Sequence, residues 1–440
     1  MKLKKIVMAA LLVLLSAFLP NAAFSEKLDA FTQGVNLYFD GNHKEALGHF
    51  EKAASSGDPR AMYFLGGMYR DGEGTEKNEQ KALEYFQETK LVAVQLIAQN
   101  DPRGMCALGD LYYDGDKGVE QDRVKAVEWY TKADKLGDGY AAFCLGQAYY
   151  SGFGVTQNYG ESIMYWKKAS KFNYSFALAM VASMYYNGEG VNQDYSVAIE
   201  WFQKAADLGC MTAMNWIASM YAEGHGVEQD SQEAMKRFKK VAELDNTEAM
   251  VSIGNMYVRG IGVQQDYVAA RKWFQKAADL NDSIGYLNIG NMYAEGRGVE
   301  QDYLEAMKQF KKAAELDNTD AMVSIGGMYA IGIGVQQDYV TAKKWFQRAA
   351  DLNDSRGYVA IGNMYAEGRG VEQDYLETMK QYKKAAELNN TDAMFSIAGM
   401  YYSGTGVGRD IEAAKRWLKK AADLGNENAK KAYERLTNSK

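Results

Sequence analysis

The chain has 440 residues with 47% hydrophobic residues, 43 glycines, only three prolines and a formal net charge of −7. The hydrophobic share is ample for a continuous core, and the scarcity of proline leaves long helices uninterrupted. The acidic charge disfavours a protein that binds nucleic acid, because such proteins neutralise phosphates with clustered Lys and Arg.

Residues 1–25 have the pattern of a secretory signal. Lysines within the first five residues precede an apolar run over Ile6–Leu19, and small residues at Ala23–Ser25 suit cleavage. At about 14 residues the apolar run is short for a membrane span, although an uncleaved anchor is the alternative. Cleavage of the signal would remove three lysines and change the net charge of the chain from −7 to −10. We therefore expect an exported protein, periplasmic or secreted in a bacterial envelope, without stable membrane insertion after cleavage.

The rest of the chain is a tandem repeat. A Gly-x-Gly loop recurs, and from Gly118 onward its second glycine advances by 36 residues each time. The first step is 44 residues, and the excess falls in Glu88–Asn100, which should lengthen the second helix of that repeat by about two turns. A fixed period of this size indicates a solenoid of stacked units. The loop glycines lie at 74, 118, 154, 190, 226, 262, 298, 334, 370 and 406.

This period divides the chain into a signal and eleven repeats. Residues 26–57 have small and aromatic residues at the positions of a tetratricopeptide repeat, namely Gly34, Tyr38, Gly41, Ala46, Phe50 and Ala53. We expect the signal over 1–25, a single repeat resembling the tetratricopeptide repeat over 26–57, ten longer repeats over 58–425, and a capping helix and tail over 426–440. The predicted fold is an all-α solenoid of helix-turn-helix repeats. In the capping helix, Ala429, Ala432 and Leu436 have helical spacing.

The segment Asn246–Leu280 shows how one repeat should fold. Helix A is predicted over about Thr247–Arg259, and Gly260 ends it where a left-handed residue is needed. Asp266 is placed to cap helix B, and two equivalent aspartates, each followed by Glu three residues later, fit a capping box. Small and aromatic residues alternate on the facing sides, which lets antiparallel helices approach closely. The predicted inward residues are Ala249, Ile253, Gly254, Tyr257, Ala270, Trp273, Phe274, Ala277 and Ala278, and the capping-box pairs are Asp302 with Glu305 and Asp374 with Glu377.

The pattern A-x3-[IL]-G-x2-Y-x2-G-x-G-V-x2-D-x3-A-x2-W-F-x-K-A-A resembles the Sel1-like repeat, a relative of the tetratricopeptide repeat. The resemblance covers nearly all of Lys27–Leu424. It implies a right-handed αα superhelix whose A helices line a concave groove, acting as an adaptor for a protein or extended peptide without a cofactor. Cysteine-rich relatives described as penicillin-binding carry a Cys pair in each unit. Here the second-helix position of that pair is alanine, at Ala277, Ala313, Ala349 and Ala421.

The three cysteines fall in three different repeats. Cys106, Cys144 and Cys210 share no repeat position, so they form no repeating framework of bridges. We expect buried free thiols, with one disulfide and one remaining thiol as the alternative.

A recent duplication supplies an internal comparison. Residues 246–317 and 318–389 differ at only 13 of 72 positions. Seven of the differences fall on helix A positions that would face the groove in tetratricopeptide geometry. We interpret them as retuning of a binding surface on a fixed scaffold, and uniform surface drift is the alternative. The seven pairs are Glu248/Asp320, Asn255/Gly327, Val258/Ala330, Arg259/Ile331, Ile284/Arg356, Leu287/Val359 and Asn288/Ala360.

The predicted groove is uneven along the array. Its N-terminal half is aromatic and its C-terminal half is small and polar. Since exposed aromatic residues in a concavity are typical binding anchors, we hypothesise that repeats two to six form the main ligand site. The alternative is that the tyrosines pack against the next repeat. The candidate residues are Tyr63, Phe64, Tyr113, Tyr140, Phe143, Tyr150, Phe176, Tyr186, Asn215, Trp216, Asn255, Arg259, Asn288 and Arg356.

Catalytic and metal-binding motifs find little support in the sequence. His43, His49 and His225 are the only histidines, and no catalytic signature surrounds them. The Gly-x-Gly loops lack the preceding strand and third glycine of a dinucleotide site. We expect a non-enzyme without metal or cofactor. Two alternatives stay open: a cell-wall or β-lactam-related enzyme, by family analogy, and a peptidoglycan- or carbohydrate-binding module, since aromatic faces can stack on sugars.

Overall fold

The structure, a computed structural model, describes residues 28–115 and 119–438, which contain 23 helices and no strand. The signal prediction and Gly118 lie outside these residues. The predicted all-α solenoid of helix-turn-helix repeats is confirmed. The helices are α1 Ala30–Phe39, α2 His43–Ser55, α3 Pro59–Asp71, α4 Glu79–Ala98, α5 Pro102–Asp114, α6 Arg123–Lys135, α7 Gly139–Ser151, α8 Tyr159–Ser170, α9 Ser175–Asn187, α10 Tyr195–Asp207, α11 Met211–Glu223, α12 Ser231–Ala242, α13 Thr247–Arg259, α14 Tyr267–Asp279, α15 Ser283–Glu295, α16 Tyr303–Glu315, α17 Thr319–Ile331, α18 Tyr339–Asp351, α19 Ser355–Glu367, α20 Tyr375–Glu387, α21 Thr391–Ser403, α22 Ile411–Asp423 and α23 Glu427–Asn438.

Odd-numbered helices up to α21 are the A helices and even-numbered helices are the B helices of the eleven repeats. In the hairpin α13/α14, Gly254 lies against the ring of Phe274 so closely that an added Cβ would collide with it. Gly260 ends α13 with φ of 70°, a conformation that costs glycine least. Helix α4 has 20 residues where most helices have 13, which confirms the predicted extension. The capping helix α23 is present, with Ala429 buried.

Seven of the ten long loops contain a Gln-Asp pair, and in the α13/α14 hairpin this pair links the two helices. The Asp266 side chain accepts from the backbone N–H of Ala269 at the start of α14. Gln265 donates from its side chain to the Val258 carbonyl at the end of α13, at 2.7 Å. The pair therefore satisfies free backbone groups at the end of one helix and the start of the next. The sequence analysis predicted the cap formed by Asp266 but not the bond donated by Gln265.

Two details of the predicted hairpin are wrong. Asp302 accepts from the Glu305 N–H, but its own N–H donates to the Tyr293 carbonyl, so no N–H is free for the second half of a capping box. Trp273 is half-buried rather than inside the hairpin, and the Lys276 ammonium lies 4.0 Å from the centre of a Trp273 ring. Stacking of a cation one turn away on an indole stabilises this exposed edge of the helix.

The chain forms two compact bodies. The first is residues 1–230, of which 28–115 and 119–230 are described, and the second is residues 231–440, described to 438. The second body is regular. Each of its A helices starts at an Asn or Asp N-cap of its own, and N-cap Asn side chains donate hydrogen bonds to the preceding A helix. Asn318 donates to Ser283 Oγ and Asn390 to Ser355 Oγ, at 3.3 and 3.0 Å. The first body departs from this regularity through its first helix.

Candidate binding surfaces

Helix α1 packs on the A helices of later repeats in the N-terminal body. The ring centre of Phe31 lies 5.0 Å from that of Tyr140 on α7, nearly perpendicular to it. Phe39 lies 4.9 Å from Phe143 on α7 and 5.0 Å from Phe176 on α9. Aromatic pairs at such separations contribute packing energy beyond simple burial. The first helix therefore occupies the aromatic face that the sequence assigns to an open groove.

Two polar side chains at the end of α1 cap the A helices of repeats five and six. Tyr174 and Cys210 stand at the N-cap positions of α9 and α11 and form no side-chain cap bond. Asn36 instead accepts from Ser175 N and donates to the Asn173 carbonyl, each at 2.9 Å. 

Asp40 serves α11 in the same way. It accepts from Met211 N at 2.6 Å and from Thr212 N at 3.0 Å. A carboxylate at a helix start stabilises the helix through these bonds and through the helix dipole. Asn36 and Asp40 thus supply caps that the local sequence lacks. The sequence analysis missed this role. The signal for it is that Tyr174 and Cys210 occupy N-cap positions that Asp or Asn holds in the other repeats.

Four candidate groove residues are corrected by the structure. Phe64, Tyr140, Phe143 and Asn215 are buried, with 3–7% of their surface exposed. The three aromatic residues belong to the core that Phe31 and Phe39 complete, so they are not exposed anchors. Their burial follows from the presence of α1, which the repeat pattern alone cannot place.

The remaining aromatic candidates are half-buried, neither core residues nor free anchors. Tyr150 donates to Glu189 in the loop of the next repeat, and Tyr186 donates to Glu223 at the end of the next A helix. Tyr63 likewise donates to Asp114 of the next repeat. Burial together with Glu189 raises the pKa of Tyr150 to about 12. Packing against the next repeat therefore occupies the hydroxyl groups and leaves ring edges accessible. The half-buried candidates are Tyr63, Tyr113, Tyr150, Phe176, Tyr186 and Trp216.

A cavity of about 410 Å³ remains beside α1 in the N-terminal body. Its walls are aromatic and include Phe39, Tyr113 and Phe176, and Asp110 lies among its lining residues. Asp110 is 4% exposed and accepts from the Tyr130 hydroxyl at 2.8 Å and the Tyr140 hydroxyl at 3.3 Å. Burial raises its pKa to about 8. The sequence analysis did not select Asp110, because it stands mid-helix where most repeats have Asn, Gly, Ser or Gln.

The duplicated C-terminal body presents a different surface. All fourteen residues of the seven groove pairs are exposed or half-buried, including the candidates Asn255, Arg259, Asn288 and Arg356. Ile331 is 68% exposed. On α13, Ile253 and Gly254 lie between the variable positions Glu248 and Asn255, and both are buried. Seven of the 13 differences between the copies therefore lie on one accessible side of the A helices.

Arg356 changes the character of this surface between the copies. Its guanidinium bridges Asp320 and Asp354, each at 2.5 Å, and Asp320 belongs to the preceding A helix. The equivalent residue in the first copy is Ile284, which is 47% exposed. Conversely, exposed Arg259 of the first copy becomes Ile331 in the second. The two copies thus exchange an apolar and a cationic group between two positions.

The three cysteines are free thiols, and Cys106 and Cys210 are buried as expected, whereas Cys144 is half-buried. Cys106, Cys144 and Cys210 lie against Asp138, Asp110 and Asp40 respectively. Burial and Asp40 raise the pKa of Cys210 to about 12, and burial also raises the pKa of the other two thiols. Since the thiolate is the reactive form, all three are poor nucleophiles.

The histidines take part in packing in two of three cases. His43 stacks on Tyr38 and His225 on Tyr195, with ring centres 4.9 and 4.4 Å apart. Within residues 28–115 and 119–438, no group of three or more His, Cys, Asp and Glu could hold a metal ion. In the same ranges no helix has the length and apolar character to span a membrane.

Comparison with known families agrees with the repeat pattern. The Sel1 repeat profile matches eleven consecutive segments, at 34–58, 59–89, 102–138, 139–171, 175–210, 212–246, 247–282, 283–318, 319–354, 355–390 and 391–426. The chain belongs to the Sel1 repeat family. The resemblance inferred from the sequence is confirmed, and the first repeat is matched by the same profile as the others. Residues 90–101 fall between matched segments, where α4 is extended.

Solved structures of other repeat proteins are similar to this Sel1 repeat protein. One is c5321, a protective antigen of uropathogenic Escherichia coli with an SLR fold, at 28% identity over 89% of this chain and 82% of that chain, TM-score 0.45. Another is a Sel1 repeat protein from Oxalobacter formigenes, at 34% identity over 56% of this chain and 99% of that chain, TM-score 0.48. Yeast Tom70 matches at 15% identity over 93% and 95%, TM-score 0.48. A comparison with curated proteins gave no match.

Proposed function

We propose that this Sel1 repeat protein is an exported scaffold that binds a protein or extended peptide along the accessible side of its A helices. The duplicated copies carry the proposal. Seven of their 13 differences lie on that side, although the side holds only a small part of the 72 positions. A scaffold under constraint for folding alone has no reason to concentrate changes there.

The chemistry of the surface favours a protein partner. The surface combines exposed Ile284 and Ile331 with charged residues such as Arg356, and such mixed surfaces suit polypeptides. The net charge of −7 disfavours nucleic acid, whose phosphates need a cationic surface. The three thiols and the stacked histidines offer no activated nucleophile, so the enzyme alternative gains no support.

The test exchanges surface residues between the copies. The chain without residues 1–25 is crosslinked to a native envelope fraction, beside a variant carrying Ile331→Arg and Arg356→Ile. Both substitutions place first-copy residues at second-copy positions, so the fold should tolerate them. The matched control, Lys343→Arg with Tyr382→Phe, makes first-copy substitutions on the B helices.

A partner that is captured by the native chain and the control, but lost by the surface variant, is the expected result. Equal capture by all three chains would place the binding surface elsewhere. Capture of nothing specific by the native chain would contradict the proposed function itself.

Export is tested separately, on the complete chain. The expected product lacks about 25 N-terminal residues and is recovered with the envelope or medium, as measured by intact mass and fractionation. An uncleaved chain retained in the cytoplasm would contradict this part of the proposal.

A further inference from the structure

The cavity beside α1 contains a carboxylate that the fold leaves incompletely satisfied. Asp110 lies on α5, is 4% exposed and lines the cavity. Its Oδ1 accepts from the hydroxyls of Tyr130 and Tyr140. Its Oδ2 has no hydrogen-bond partner within residues 28–115 and 119–438. Buried polar atoms of folded proteins are nearly always paired, so an unpaired carboxylate oxygen beside a cavity points to a ligand.

The walls of the cavity indicate the charge of that ligand. Phe39, Tyr113 and Phe176 line it, and aromatic faces attract cations through their quadrupole. Asp114 adds a second carboxylate to the lining, and the cationic Arg70 is already paired with Asp71 at 2.7 Å. An anionic ligand would be repelled by the Asp114 carboxylate, and a neutral apolar ligand would leave Asp110 Oδ2 unpaired. A cation with an apolar stem satisfies both the walls and the carboxylate.

We infer that this cavity binds an alkylammonium group, such as the side chain of a lysine on the bound partner. One Asp110 oxygen is already engaged by two tyrosine hydroxyls, so only the other is free. A single free oxygen suits an ammonium, whereas a guanidinium is best matched by both oxygens of a carboxylate. In naming a partner lysine, the inference rests on the proposed function, but the cavity can be tested with small molecules alone.

Binding should be coupled to a proton. In the empty cavity burial raises the pKa of Asp110 to about 8, so at neutral pH the carboxyl group holds its proton. When the ammonium enters, that proton leaves Asp110 for solvent and the carboxylate pairs with the cation. Affinity should therefore rise as pH increases toward 8 and above, while the ammonium stays charged, since its ordinary pKa is about 10.4. The titratable and charged groups around Asp110 are Arg60 on α3, Asp114 on α5, Tyr130 on α6, and Tyr140 and Cys144 on α7.

The experiment is calorimetric titration of the complete chain without residues 1–25. The probes are N-acetyl-lysine methylamide, cadaverine, N-acetyl-arginine methylamide and, as the uncharged control, N-acetyl-norleucine methylamide, at pH 6.5 and 8.5. We expect the lysine amide to bind more tightly at pH 8.5, the arginine amide more weakly, and the norleucine amide not at all. Cadaverine binding above that of the lysine amide would identify a free diamine as the source of the ammonium.

Three variants test the residues. Asp110→Asn keeps an acceptor for the tyrosine hydroxyls but removes the charge, and it should weaken binding roughly ten- to hundredfold and abolish its pH dependence. Tyr113→Leu removes an aromatic wall and should weaken binding, whereas Tyr113→Phe should preserve it. If Asp110→Asn does not fold, the comparison of Tyr113→Leu with Tyr113→Phe still tests the inference.

Three results would overturn the inference: no binding of either ammonium probe at pH 8.5, equal binding of the norleucine amide, or unchanged affinity in Asp110→Asn or in Tyr113→Leu. Such a failure, with partner capture by the native chain intact, would leave the scaffold proposal standing. Binding of the lysine amide by a chain that captures no partner would support the cavity inference and contradict the scaffold proposal.

Discussion

The two compact bodies start their A helices in different ways. In the C-terminal body each start is local: Asn246, Asn318 and Asn390, for example, each accept from the backbone N–H three residues later. In the N-terminal body α9 and α11 depend on Asn36 and Asp40, 137–172 residues distant in sequence. The comparison teaches that one repeat family can replace local caps with long-range ones when a terminal repeat folds onto its neighbours.

The same difference governs which surfaces are available. Helix α1 covers an aromatic face in the N-terminal body and leaves a cavity with a buried carboxylate. The duplicated C-terminal body keeps its A-helix positions accessible and varies them between copies. A ligand would therefore meet an enclosed pocket in one body and an open surface in the other.

The largest expected effect breaks the packing of α1. Phe31→Ala removes a 2%-exposed ring that contacts Phe50, Phe64 and Tyr140, and should lower the free energy of unfolding by about 3–5 kcal/mol. Because α1 also carries the distant caps, the amide protons of Ser175, Met211 and Thr212 should exchange faster. Denaturation and hydrogen exchange measure the two effects.

The matched control is Phe274→Ala, which removes a 1%-exposed ring from the C-terminal body. It should cost a similar free energy of unfolding and leave those amide protons protected. Equal exchange rates in the two variants would show that α1 does not hold the distant caps in place.

An intermediate effect separates the two kinds of cap. Asp40→Ala removes bonds to Met211 N, Thr212 N and Thr212 Oγ1 and should cost about 2 kcal/mol. Asp266→Ala removes one local cap and should cost about 1 kcal/mol. Denaturant titration gives both values. A larger loss from Asp266→Ala would show that the distant cap contributes little.

The smallest effect concerns the variable surface. The double substitution Ile331→Arg and Arg356→Ile removes the ion pairs of the largely solvent-exposed Arg356 with Asp320 and Asp354. It should change the free energy of unfolding by less than about 1 kcal/mol. Thermal unfolding compares it with the native chain. A loss of several kcal/mol would assign these residues to folding, and the argument for a binding surface would fall.

Much of the fold could be predicted from the sequence, because the features that define it are local. Gly260, Asp266 and the Gly254–Phe274 contact act within one hairpin, and the 36-residue period repeats them. The exposure of the candidate binding residues was predicted only in part. Arg259, Asn288 and Arg356 are accessible as expected from their positions within the repeat. Phe64 and Tyr140 are not, since what covers them is a helix remote in sequence.

The sequence by itself determined the hairpin, its period, the eleven repeats and the accessible side of the duplicated copies. These follow from helix periodicity, glycine conformation and capping, which act over a few residues. Tertiary structure alone decided that α1 completes an aromatic core, that Asp40 caps α11 and that Asp110 faces a cavity with an unpaired oxygen. Each of these depends on residues brought together across several repeats, and the burial of Asp110 has no counterpart in the composition of its own helix.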